Sequence, residues 1–317
     1  MELTTFWFLV IAFLWTGYFV LEGFDFGVGA LLPLLSRGEA ERRQMLTTIG
    51  PVWDGNEVWL ITAAGAMFAA FPAWYSGLFS AFYLPLVMVL VGLIVRGVSL
   101  EWRGKVEGRE RALCDAGIVT GSVLTAFTWG GVFGHMLFGT ALGTVLGGTL
   151  ALSLAMLHGA VFLALKTAGP LRARARRAAL TAAVVAVPVA VVALPGLPSA
   201  NAPQGTATGV DGAAWTAHPV LWAAALAAMV ALAAAVALVW RRREGWAFAA
   251  TAGSIALLTG TVFAALWREP LPGLTVAEAA SGPYTLGLLT WIGLIALPFV
   301  LAYQGWTYWV FRRRVTA

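Results

Sequence analysis

Long apolar runs separated by short polar stretches fill this chain from end to end. A helix needs about 20 apolar residues to cross about 30 Å of hydrocarbon. Nine runs reach that scale, at about 4–35, 52–71, 76–95, 115–138, 140–166, 178–197, 218–240, 246–267 and 284–311. The first is overlong and is interrupted by Glu22, Gly23 and Asp25. The pattern predicts an all-α integral membrane protein of about nine transmembrane helices.

Composition supports this. The chain has 317 residues, of which 60% are hydrophobic and 11% charged, against about 25% charged in soluble domains. The 36 glycines suit helices that approach closely in a bilayer. The net charge of +5 does not point to nucleic acid, because the basic residues fall in the short connections between apolar runs. Residues 1–5 carry no basic residue and the run after them is long, so no cleavable signal peptide is expected. Cys114 stands alone and has no partner for an internal disulfide.

The connections set the orientation. The first holds Arg37, Arg42 and Arg43; the third Arg96, Arg103, Lys105, Arg109 and Arg111; the fifth Lys166, Arg172, Arg174, Arg176 and Arg177; the seventh Arg241, Arg242 and Arg243. Arg312, Arg313 and Arg314 follow the last helix. All but Arg268 of the 20 basic residues therefore fall on one side of a nine-helix chain. By the positive-inside bias that side is the cytoplasm, with the N-terminus outside and the C-terminus inside. The connection at 199–217 reads as a loop. Pro188, Pro195 and Pro198 are placed to kink or end the sixth helix.

Acids inside such helices are costly, about 2.5–3.5 kcal/mol each at mid-bilayer, and so point to function. Glu22 and Asp25 are three apart and share one helix face. Asp54 and Glu57 repeat that spacing on the second helix. The first helix runs inward and the second outward, which puts both pairs in the cytoplasmic half. Pro51 fits the first turn of the second helix, placing Asp54 near its positive end. Gly23, Gly27 and Gly29 would let another backbone approach Asp25. The four acids form a candidate entry point for protons or cations. The plainer alternative is helix capping by Asp54 and snorkelling by Glu57. Arg96, ending the third helix, could pair with one of the acids or serve only as a topology marker.

A haem or metal site in the chain itself is not expected. His218 falls at an outer helix start. His135 and His158 differ in depth by about twelve residues, roughly 18 Å, too far to ligate one haem from both sides. The plainer reading of His158 is a hydrogen-bonded interior histidine. Trp7, Trp74, Trp215, Trp246, Trp267 and Trp309 lie near helix ends, as in an aromatic belt. Trp53 and Trp59 flank the second acidic pair and could line a quinone or lipid site, or simply pack.

Glu22-Gly23-Phe24-Asp25-Phe26-Gly27-Val28-Gly29 resembles the first-helix signature of subunit II of cytochrome bd-type quinol oxidases. Pro51-Val52-Trp53-Asp54-Gly55-Asn56-Glu57-Val58-Trp59-Leu60 resembles its second-helix signature. The similarity continues through Gly65–Pro72 and Tyr75 and is clear over about residues 17–105. Beyond that it rests on the helix count and the aromatic segment Tyr303-Gln304-Gly305-Trp306. The resemblance implies two four-helix bundles, here about 1–138 and 140–267, plus a peripheral helix at about 284–311.

It also implies a terminal oxidase of the bacterial cytoplasmic membrane that uses quinol to reduce oxygen to water. Subunit I would hold two b-type haems and one d-type haem, and this chain none. This chain would stabilise subunit I and lead cytoplasmic protons toward the haems, making the enzyme electrogenic. Lipid and quinone would be further partners, with room for a small single-helix subunit. The family's two embedded aspartates match Asp25 and Asp54. Trp53 matches a tryptophan near a bound quinone in some members, and Glu57 stands where some relatives carry Gln. The competing readings are a proton-coupled secondary transporter, which would favour inverted repeats, and a structural scaffold indifferent to all four acids.

Overall fold

A computed structural model describes residues 2–193, 219–267 and 269–316. Pro195, Pro198, the 199–217 connection with Trp215, and His218 and Arg268 lie outside the described residues. The helices are α1 (Leu3–Leu35), α2 (Glu39–Ile49), α3 (Trp53–Ala70), α4 (Pro72–Ala81), α5 (Tyr83–Trp102), α6 (Gly108–Phe138) and α7 (Ala141–Lys166). There follow α8 (Gly169–Ala193), α9 (Pro219–Trp240), α10 (Glu244–Ala265), the single turn α11 (Val276–Ala279) and α12 (Pro283–Val310).

Eight of the described helices are long and apolar enough to cross a bilayer: α1, α5, α6, α7, α8, α9, α10 and α12. The ninth expected span is α3. Its 18 residues extend about 27 Å, and Asp54, Asn56 and Glu57 lower its hydropathy. The all-α membrane fold therefore stands, at roughly the expected helix count.

Several boundaries differ from the hydropathy reading. The run at 76–95 divides into α4 and α5, because Pro72 opens one helix and the chain bends at Phe82 before the next. Helices α6 and α8 start at Gly108 and Gly169, well before their apolar stretches, so Arg109, Arg111 and the arginines at 172–177 ride on helix rather than loop. Helix α8 continues through Pro188. The polar helix α2 is too short to span and left no trace in the hydropathy.

Helix α1 lies against α3, α6, α7 and α10, while α9 packs on α8 and α10. Helix α7 is the most enclosed of the spans, and α12 has only Leu286 fully buried. Small residues make the tight seams. A Cβ on Gly27 of α1 would stand 1.9 Å from the Ala155 carbonyl oxygen of α7. A Cβ on Gly130 of α6 would stand 2.2 Å from the Gly147 carbonyl oxygen, also on α7. Backbones meet here without intervening side chains, the usual way helices associate in lipid. Trp7 and Trp74, expected in an aromatic belt, are instead buried. The Trp7 indole donates to Leu286 O at 3.1 Å and Thr290 Oγ1 at 3.0 Å, fastening α12 to α1.

One end of the molecule collects the basic residues into a connected surface. Arg103 donates two bonds of 2.9 Å to Glu39 and also bonds Asp115, which Arg42 reaches at 3.1 Å. Arg174 pairs with Glu41, while Arg172 and Arg176 share Glu244. Val315 N donates to Lys166 O at 2.7 Å, and Gln44 donates to Val315 O at 2.9 Å, so the tail is tied to α2 and α7. Arg103 and Arg174 hold the Glu39 and Glu41 carboxyls below the usual range, mainly by hydrogen bonding. A depressed folded-state pKa adds stability above the unfolded value of about 4.3 and loses it as pH falls through the folded value. Acidification below about pH 4.3 should therefore lower the melting temperature of the purified complex. In Glu41→Gln the loss should be smaller by about 2 °C, since each such pair contributes about 1 kcal/mol or less.

Candidate functional site

Glu22 and Asp25, on one face of α1, are both fully buried. Each is met by a different polar neighbour. Arg96 of α5, also fully buried, donates from Nη1 to Glu22 Oε1. The same nitrogen lies 4.0 Å from Glu57 Oε2 of α3. Its guanidinium sits 5.0 Å over the Phe26 ring. Glycines seat it: a Cβ on Gly121 of α6 would come within 2.8 Å of the Arg96 Cβ and 2.5 Å of Gly92 O.

Asp25 takes a 2.7 Å hydrogen bond from the Asn56 side-chain amide of α3. The Asn56 Oδ1 in turn accepts from Gln304 Nε2 at 3.0 Å and from the Tyr308 hydroxyl at 2.7 Å, both on α12. The carboxamide thus joins α1, α3 and α12. Arg96 lies seven residues before Arg103, about 10 Å along the helix, so the cluster is sunk about that far inside the basic end. Five buried atoms in it have no protein hydrogen-bond partner: Glu22 Oε2, Asp25 Oδ1, Glu57 Oε2, Arg96 Nε and Arg96 Nη2. Polar groups left over in this way are where interior water binds.

The four expected acids are divided by the fold. Glu22, Asp25 and Glu57 gather around Arg96 and Asn56, with Glu57 half-buried at the edge. Asp54 is exposed in the first turn of α3 and makes no side-chain capping bond. Pro51 precedes that helix rather than opening it, because α3 starts at Trp53. Trp53 is half-buried, and a Cβ on Gly97 of α5 would be 3.5 Å from its ring. Trp59 packs inward against Gly17 and Phe13. Of the three glycines near Asp25, Gly27 meets α7 and Gly29 meets Ser122 of α6, but Gly23 has no atom closer than 4.0 Å to its Cβ position.

Asn56, Gln304 and Tyr308 carry no charge at neutral pH, so the cost signal that marks buried acids does not single them out. Gln304 falls within the aromatic segment Tyr303-Gln304-Gly305-Trp306, but its contact with Asn56, 248 residues away, has no local signature.

The two described histidines sit in different surroundings. His158 is buried with both ring nitrogens engaged, Nδ1 by Thr251 Oγ1 at 2.6 Å and Nε2 by Val20 O at 3.2 Å. His135 is exposed, with Nδ1 3.1 Å from Thr144 Oγ1. Among the described residues no three His, Cys, Asp or Glu side chains converge as a metal site would require.

Comparison with known proteins covers nearly the whole chain. The family model for cytochrome bd terminal oxidase subunit II matches residues 3–311. The cytochrome bd ubiquinol oxidase subunit 2 of Bacillus subtilis (strain 168) is 36% identical, covering 98% of this chain and 96% of that protein. The cytochrome bd-I ubiquinol oxidase subunit 2 of Escherichia coli (strain K12) is 30% identical over 98% and 94%. In fold, the chain is similar to one in the structure of bd oxidase from Geobacillus thermodenitrificans, with a TM-score of 0.78, 18% identity, and coverage of 98% and 99%. A match of this extent leaves the transporter reading without support, and the chain belongs to the cytochrome bd terminal oxidase subunit II family.

Proposed function

We propose that this chain stabilises a haem-bearing subunit I and carries protons toward it from the basic, cytoplasmic end. The enzyme they form oxidises quinol and reduces oxygen to water. The observation that carries this reading is the cluster of buried Glu22, Asp25, Arg96 and Asn56 inside membrane helices, with half-buried Glu57 at its edge. Oxygen reduction consumes protons, and drawing them from one side of the membrane makes turnover electrogenic. A path from that side needs titratable groups at successive depths.

Asp54 and Glu57 form the entrance, because Asp54 is exposed and Glu57 lies between surface and interior. Arg96 links Glu57 to Glu22. Asp25 holds its place through Asn56, and water on the free carboxylate oxygens completes the relay. Two b-type haems and one d-type haem belong to subunit I in this reading, consistent with the engaged ring nitrogens of His158. The exposed faces of α5 and α12, with Trp53 beside Gly97, supply the surface for subunit I and quinone or lipid. In this reading the chain forms a first bundle over about 1–138 and a second over about 140–267, with α1 packing across both, on α3 and α6 of the first and α7 and α10 of the second. The concentration of basic residues at one end supports an outside N-terminus and a cytoplasmic C-terminus.

The test is oxygen consumption by membranes holding Asp25→Asn or Asp54→Asn. Turnover should fall about tenfold or more while the haem absorbance of the complex is retained. Normal turnover in both variants would remove the proton role.

A further inference from the structure

A groove of about 530 Å³ opens between α1, α7 and α8. Arg37, just beyond α1, and Arg177 of α8 stand at its mouth, and Leu34, Leu152, Met156 and Val185 wall its length. Arg177 is the last charged residue of α8, and only Thr181 is polar among the helix residues after it. From Arg177 to Val185 is eight residues, about 12 Å along the helix. The groove therefore starts at the polar boundary of the bilayer and runs into the hydrocarbon.

Its charge is one-sided. Among the described residues neither the Arg37 nor the Arg177 guanidinium has a carboxylate within 4 Å, and both residues are exposed. The acid nearest the mouth, Glu41, is already paired with Arg174 and accepts the Arg37 backbone N–H at 2.6 Å. Three guanidiniums thus face one carboxylate. The volume falls in the range of small-molecule sites, about 300–1,000 Å³. It is far short of a spanning helix, about 10 Å wide and 30 Å long.

We infer that this groove holds an anionic phospholipid, its phosphate between Arg37 and Arg177 and one acyl chain along the wall formed by α7 and α8. Arginine forks suit phosphate oxygens, and basic residues at the surface attract anionic lipid. The apolar wall selects a lipid over free phosphate. This site is independent of the proton path, and its test does not read turnover.

The purified complex, stripped in detergent and re-exposed to phosphatidylglycerol or phosphatidylcholine, is weighed by native mass spectrometry. The wild type should keep a phosphatidylglycerol and lose phosphatidylcholine. R37Q/R177Q should retain phosphatidylglycerol about 30-fold less well, the effect of two surface guanidiniums. R241Q/R243Q, which removes charge from the same end away from the groove, should match the wild type. Val185→Trp leaves both arginines in place but fills the lower groove, and should also lose the lipid. Undiminished retention in R37Q/R177Q and Val185→Trp, equal retention of phosphatidylcholine by the wild type, or a bound polypeptide in place of lipid would overturn the assignment.

Discussion

Arg96→Met will keep the oxidase from accumulating as an assembled complex. The substitution preserves most of the side-chain volume but removes the only donor to Glu22 among the described residues, and Glu22 stays fully buried. Leaving one member of a buried ion pair without its partner costs about 3–5 kcal/mol, a large share of the roughly 5–15 kcal/mol by which a typical domain is stable. Membranes should show little haem absorbance from the complex, and what is purified should melt early. Glu22→Gln/Arg96→Met removes both charges and should recover most of the assembly, because replacing a whole buried pair is far cheaper than breaking it. Its oxygen consumption should remain low if the pair also relays protons. Wild-type assembly in the single variant would mean that the pair does not hold α1 to α5.

Gly27→Val should be nearly as damaging, for a reason unrelated to charge. The new Cβ would sit 1.9 Å from the Ala155 carbonyl oxygen and 2.9 Å from the Gly159 Cα. Those are backbone atoms of α7, so no side chain can swing aside and the helices must part. Overpacking in a core costs about 1–3 kcal/mol when side chains adjust; the upper end or beyond is expected here. Gly23→Ala is the control, since its Cβ site has nothing nearer than 4.0 Å, and alanine gains up to about 1 kcal/mol in a helix. Melting temperatures of the purified complexes should therefore move in opposite directions. Equal shifts would show that the seam between α1 and α7 tolerates separation.

The contrast between these two glycines shows how far the sequence could be read. Both stand in one motif, and only the packing of α7 separates them. The membrane fold was legible because hydrocarbon demands long apolar helices, a constraint written into every span. The acids were legible because burying them is costly, and Glu22, Asp25 and Glu57 did come together. Arg96 was ambiguous: an arginine near a helix end can mark topology or pair inward, and only the Gly92 and Gly121 seam decides. Asn56, Gln304 and Tyr308 were silent because neutral polar groups add little cost to insertion. Helix α2 was silent because its pattern is that of a short surface helix, and hydropathy windows tuned to spans pass over it.

The bond from Gln304 and Tyr308 to Asn56 also sets an order of events during synthesis. Gln304 is made 248 residues after Asn56, so the α12 donors emerge long after the acceptor they serve. Until then, the Asn56 carbonyl oxygen sits in the bilayer without its two donors. A chain broken off before residue 304 has every other element of the cluster but keeps that unmet group. An unmet buried acceptor costs about 1–3 kcal/mol. Helix α12 therefore closes a hydrogen-bond network that α1 and α3 alone leave open.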